Sequence, residues 1–205
     1  MDLPPNMCDI AALEALKQSI VTRDAREIYH EHLMGHNLWL FEKRMKLPNA
    51  PRRYDELKGY VSQKLGLSFN NVAIIGSAKT DFSFNPSNDF SLFSDSSDID
   101  FALVSTRHFY RFWDAYTEVA RKNYLPNYNR ITGSIFRKFV EISERHPIHH
   151  PHFEEWHKQV GSFKKDIQTG FGIIHDINYR IYDSWEAVET YHTDGINELK
   201  KKLSD

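Results

Sequence analysis

The chain has a single cysteine, Cys8, in 205 residues. One thiol excludes an intrachain disulfide and a cysteine zinc cluster, and it suits a reducing compartment. Long apolar runs are missing as well. No stretch approaches the ~18 apolar residues of a membrane-spanning helix. The start MDLPPNMCDI lacks a basic end followed by an apolar core, so neither export nor membrane insertion is expected. Charge of one sign is not in excess either: 26 Lys and Arg stand against 28 Asp and Glu, a formal net charge of −2. That balance gives no overall basic field for duplex nucleic acid, although local charge suffices for a nucleotide. The sequence shows no internal repeat and no low-complexity segment. A cytoplasmic protein is expected. A chain of this length buries about 70% of its unfolded surface, so one domain spanning 1–205 is the expected organisation.

The most informative stretch is 71–105, NVAIIGSAKTDFSFNPSNDFSLFSDSSDIDFALVS. Val72 to Ile75 is an apolar, β-branched run stopped by Gly76. Ile99 to Val104 is a second, entered through Asp98 and Asp100. Both read as strands of a covered sheet. Residues two apart on a strand rise about 6.6 Å and share a face, so Asp98 and Asp100 project together while Ile99 turns to the core. Paired carboxylates repel, and a hard cation such as Mg2+ or Mn2+ relieves the repulsion, with substrate phosphates as further ligands. Gly76 permits close backbone approach and Ser77 adds a hydroxyl, which together suit a phosphate. GSAKT at 76–80 superficially suggests a Walker loop. That motif needs glycines where Ala73 and Ala78 stand and a helix directly after, whereas 81–98 is rich in Phe, Ser, Asn and Pro.

At these residues the sequence resembles the nucleotidyltransferases of the DNA polymerase beta superfamily, whose signature is an apolar strand, Gly-Ser, a spacer and Asp-apolar-Asp-apolar. Here the matching pieces are AIIGS at 73–77 and DIDFALV at 98–104. The 78–97 spacer is longer than in the common form, implying an extra loop or hairpin beside the site. It resembles a bacterial subgroup with GSAK, then FS, P, F, F and SDID, matched by Phe82, Ser83, Pro86, Phe90 and Phe93. The resemblance implies that Gly76 and Ser77, with Lys79 of the GSAK match, hold a nucleoside triphosphate. It also implies that Asp98 and Asp100 bind two metal ions, Mg2+ or Mn2+. Members usually carry a third carboxylate on a neighbouring strand, for which Asp176 is the candidate.

The remaining chain reads as support. Apolar positions from Ile10 to Leu33 have a helical rhythm interrupted near Thr22-Arg23-Asp24, giving two helices or one bent helix. Residues 36–46 read as a short helix. A clear amphipathic helix from Tyr54 ends at Gly66 in a left-handed cap position. Phe109, Phe112, Trp113, Tyr116 and Val119 form an aromatic helical stripe that covers the sheet. A helix is expected over 131–142, with Arg137 and Lys138 exposed or reaching a triphosphate. His146, His149, His150, His152 and His157 lack ligand spacing and read as a loop. A third strand is expected over 173–182, alternating Ile177, Tyr179 and Ile181 against Asp176, Asn178 and Arg180. Asp183 or Ser184 caps a final helix, with a break near Asp194-Gly195.

These readings give an α/β (α+β) fold, a small mixed sheet covered by helices, divided into an N-terminal helical region 1–66, a core 67–183 and a C-terminal helix 184–205. The resemblance implies a nucleotidyltransferase fold and the transfer of a nucleoside monophosphate from an NTP or dNTP to a hydroxyl. The acceptor would be an oligonucleotide, another nucleotide that is cyclised, or a protein. It also implies a partner effector protein in a defence or toxin–antitoxin pair. The alternative is a binding module of the same fold that neutralises a partner by surface contact.

Overall fold

The computed structural model describes residues 7–122, 124–142 and 148–205, with side chains from residue 10 onward. His146 and most of the N-terminal decapeptide lie outside the described residues. In chain order the elements are α1 (Met7–Thr22), α2 (Ala25–Ile28), π-helical turns at Tyr29–Leu33 and Leu40–Arg44, α3 (Ala50–Leu65), β1 (Val72–Ile75) and α4 (Ser77–Thr80). They continue with β2 (Ile99–Val104), α5 (Thr106–Lys122), α6 (Tyr128–Phe136), β3 (Phe139–Glu141), α7 (Pro151–Phe171), β4 (Ile177–Tyr182) and α8 (Trp185–Ser204).

The break near residue 23 is real: the Asp24 side chain accepts a hydrogen bond from Arg26 N and starts a new helical turn. Gly66 closes α3 in the left-handed conformation, φ 65°. The sheet is mixed, in the order β1-β2-β4-β3, with β1 antiparallel to β2, β2 parallel to β4, and β3 antiparallel to β4. Strand alternation divides its side chains between two cores. Val72, Ile74, Ile99, Phe101, Leu103, Val140, Ile177, Tyr179 and Ile181 pack under α3, α5 and α7. Ile75, Ala102, Val104, Phe139 and Tyr182 pack on the other side under α1, α2 and α8.

Three expectations need correction. The helix of 131–142 ends at Phe136, because Lys138 turns the chain at φ 58° and Phe139 to Glu141 pair with Tyr182 to Arg180. The sheet therefore has a fourth strand. Residues 173–176 lie before β4, not in it. No break occurs at Asp194-Gly195, since α8 runs unbroken from the Ser184 cap, whose side chain accepts from Ala187 N. Gly195 faces the 81–98 segment, and a Cβ there would meet Phe84 O at 3.5 Å. Among the described residues no helix is long and apolar enough to cross a membrane.

Candidate active site

Asp100 lies opposite Ile75 on β1 and beside Asn178 on β4, which puts it on the side of the sheet facing α8. β1 ends at Gly76, whose φ of 74° suits a residue without a side chain. A Cβ at Gly76 would stand 3.0 Å from Asp100 Oδ2, so the Gly-Ser turn directly abuts the acidic pair. Ser77, Asp98 and Asp100 line one polar cleft of about 600 Å³.

The long spacer walls this cleft, and its signature residues explain how. Phe82, Phe84 and Phe90 are buried in the α8-side core, and Phe93 in the opposite one, so aromatic side chains pin both ends of the segment. One β-bridge joins Phe82 to Leu92. Ser83 Oγ accepts from Asn85 N at 3.3 Å and from Asn88 Nδ2 at 3.2 Å, and Pro86 opens the turn between them. Residues 83–88, with Ser91, Ser96 and Ser97, line the cleft.

Asp98 is half-buried and accepts a hydrogen bond from Asn178 Nδ2 at 3.0 Å. Arg180 Nη2 is 3.9 Å from Asp100 Oδ1. The Asp100 carboxyl is held above the usual carboxylate range, chiefly by burial, with Glu141 and Asp98 adding to the shift and Arg180 and Asn178 opposing it.

Asp176 is not brought to the pair. Its side chain is exposed and meets Lys164 Nζ at 3.2 Å, while its carbonyl accepts from Ile99 N at 2.8 Å. It positions the pair through its backbone. Lys79 points away from the cleft: it is 4% exposed, donates to Gly35 O and lies 5.0 Å from the Tyr54 ring centroid. Burial, with Lys58 nearby, pushes its pKa down to about 8. Arg137 does line the cleft, with its guanidinium over the Tyr191 ring. The histidine-rich stretch has other tasks: His150 caps α7 and the His152 ring meets Arg111.

Several cleft residues were not singled out by sequence. Glu141 comes from the three-residue β3, and Tyr191, His192, Asp194 and Glu198 come from α8. Arg180 was legible as sharing a face with Asn178. The α8 residues had no signal beyond helical spacing. Five carboxylates, of Asp98, Asp100, Glu141, Asp194 and Glu198, line the cleft against two guanidiniums, of Arg137 and Arg180. Glu141 is engaged by Arg130 at 2.9 Å.

This donor chemistry fits one hard cation. Asp98 and Asp100 line the same acid-rich cleft, and Mg2+ is commonly held by one or two carboxylates with substrate phosphates and water completing its shell. Among the described residues no group of three or more His, Cys, Asp or Glu side chains is arranged to hold a metal. Comparison with protein-family models, characterised proteins and solved structures finds no match.

Proposed function

We propose that the cleft binds a magnesium-loaded nucleoside triphosphate and transfers its nucleoside monophosphate to an acceptor hydroxyl, in a nucleotidyltransferase fold. The observation that carries this reading is the closeness of the Gly76–Ser77 turn to Asp100, which sets a glycine turn beside a carboxylate pair in one polar cleft. Asp98 and Asp100 would hold the cation, which supplies charge neutralisation at the phosphates. Gly76 leaves room for phosphate oxygens to approach the backbone, and the Ser77 hydroxyl is placed to donate to one of them. Arg137 offers a further cation at the opposite wall. In the transfer, the acceptor oxygen forms a bond to the α-phosphorus. The bond from that phosphorus to the bridging oxygen breaks, pyrophosphate leaves with the electron pair, and the acceptor proton passes to water.

The position of Asp176 favours a second reading, a nucleotide-binding module acting on a partner protein without transfer, because its carboxylate is exposed, meets Lys164 and does not line the cleft with Asp98 and Asp100. Incubation with α-labelled NTPs and dNTPs and Mg2+, without any partner, separates the two. A labelled product or self-labelled chain that disappears in Asp98→Asn supports transfer. Nucleotide binding by calorimetry with no product supports the module, and absence of both at millimolar nucleotide defeats the nucleotide reading.

A further inference from the structure

Beside the acidic pair, β4 presents two side chains on the same face, Asn178 in register with Asp100 and Arg180 in register with Ala102. Neither is an anion. Asn178 donates to Asp98. The Arg180 guanidinium stands 3.9 Å from Asp100, beyond hydrogen-bond reach but close enough for a direct ion pair. Its Nε is buried with no hydrogen-bond partner. Its far side is packed over Tyr191 of α8, 5.9 Å from the ring centroid, and Glu141 is its neighbour in register on β3. Arg180 is therefore a charge held from several sides, with Asp100, Tyr182, Tyr191 and Glu141 around it.

We propose that Arg180 is a positioning residue standing in place of a second divalent ion: it competes for Asp100 and limits the cleft to one ion. That the ion carries a nucleotide phosphate rests on the function proposed above. The antagonism between Arg180 and the metal does not.

The physical reason is charge. A divalent ion bound to Asp100 and a guanidinium bound to Asp100 repel one another at close range in a partly buried setting. An ion that enters through Asp98 and the outer edge of Asp100 is compatible with Arg180, whereas a second ion on the β4 side of Asp100 is not.

The test titrates the full chain with Mn2+ alone, reading free Mn2+ by electron paramagnetic resonance. Wild type is expected to bind one ion per chain, lost in Asp98→Asn. Arg180→Gln should tighten Mn2+ at least tenfold, Arg180→Lys should stay within about threefold of wild type, and Arg180→Asp should admit a second ion. Circular dichroism checks folding. If Gln unfolds the chain, Arg180→Met, which keeps an unbranched stem of similar length without the charge, takes its place with the same expected tightening. Two ions per wild-type chain, or unchanged Mn2+ affinity in the neutral variant, overturns the proposal. A parallel titration with a non-hydrolysable ATP analogue should give one Mn2+ per bound nucleotide in wild type, and two would overturn it. If the Mn2+ results hold while the analogue does not bind at millimolar concentration, the Arg180 assignment stands and the nucleotide reading falls.

Discussion

On the face of the sheet beneath α3, α5 and α7, Ile99, Phe101, Leu103, Ile177, Tyr179 and Ile181 form a dry layer along the full length of both central strands. On the opposite face the same two strands are dry only in their second halves, at Ala102, Val104 and Tyr182, and carry Asp100, Asn178 and Arg180 before that. One sheet thus has a first face that is apolar throughout and a second whose entrance lines a polar cleft. Residues that alternate along a strand have separate consequences, and substitutions one position apart should fail in different ways.

The largest contrast is expected in activity. Asp98→Asn should abolish nucleotide transfer, a loss of at least about a thousandfold if the carboxylate holds the cation, while thermal unfolding changes little. Asp100→Asn should be equally inactive and also less stable by about 1–3 kcal/mol, because it strips the half-buried Arg180 of its anion. Near-normal transfer by either variant removes the pair from the active site.

The next contrast is in stability. Phe101→Ala, one position from Asp100 but on the dry face, should cost about 3–5 kcal/mol by opening a cavity in a core where the ring is fully buried. Urea titration measures it, and a cost below about 1 kcal/mol would mean that the layer under α3, α5 and α7 is not the cohesive one. At the junction of the two faces, Gly76→Val should weaken nucleotide binding far more than Ser77→Ala. The former forces a Cβ against Asp100 in a positive-φ conformation, and the latter removes one hydroxyl worth about 1–2 kcal/mol. Calorimetry with a non-hydrolysable triphosphate reads both, and equal effects would place the phosphates elsewhere.

Legibility in the sequence followed the same division. Strands β1 and β2 were readable because they are apolar runs stopped by Gly76 and entered through charged residues, and the alternation of Asp98 and Asp100 placed them together. β3 was not readable. Three residues carry too little periodicity, and their pairing with β4 is a tertiary choice that ends α6 at Lys138. The alternation of β4 correctly set Asn178 and Arg180 on one face. It did not show that Asp176 lies before the strand begins, with its side chain free to reach α7. The contribution of α8 to the cleft depends on how the helix crosses the sheet, and Tyr191, Asp194 and Glu198 carry no local mark of it.

A smaller effect should appear in the pH dependence of the α8 side. His192 is buried against Tyr29, its Nε2 has no partner, and burial, with Arg180 adding, pushes its pKa down to about 3. The unfolded chain titrates this imidazole near 6.5. Between those values the unfolded state binds the extra proton, so the stability is complete above about pH 6.5 and is lost progressively as pH falls toward 3. His192→Phe should flatten that part of the profile. Melting temperatures of both proteins between pH 4 and 7 decide it, and parallel profiles would show that His192 is not held neutral.

The smallest effect is expected at Lys79, and it sharpens the boundary of the cleft. This lysine lies two residues beyond Ser77 yet sends its ammonium to Gly35 O, in a separate pocket with Tyr54 and Lys58. Its pKa near 8 lies below the 10.5 of an unhindered lysine, chiefly through burial. Between those two values the unfolded chain holds a proton that the folded one has released, so wild-type stability should rise with pH across this window. Lys79→Met removes that slope. At pH 7 it gives up one hydrogen bond to a carbonyl and relieves a buried charge, two opposed changes that should leave stability within about 1 kcal/mol of wild type. Affinity for a triphosphate should be unchanged, because the side chain does not line the cleft that holds Ser77, Asp98 and Asp100. Calorimetry on Lys79→Met at pH 7 tests the point: a tenfold loss of nucleotide affinity would mean that the triphosphate reaches past the Gly76–Ser77 turn toward Tyr54, and that the cleft beside Asp98 and Asp100 is not its main seat.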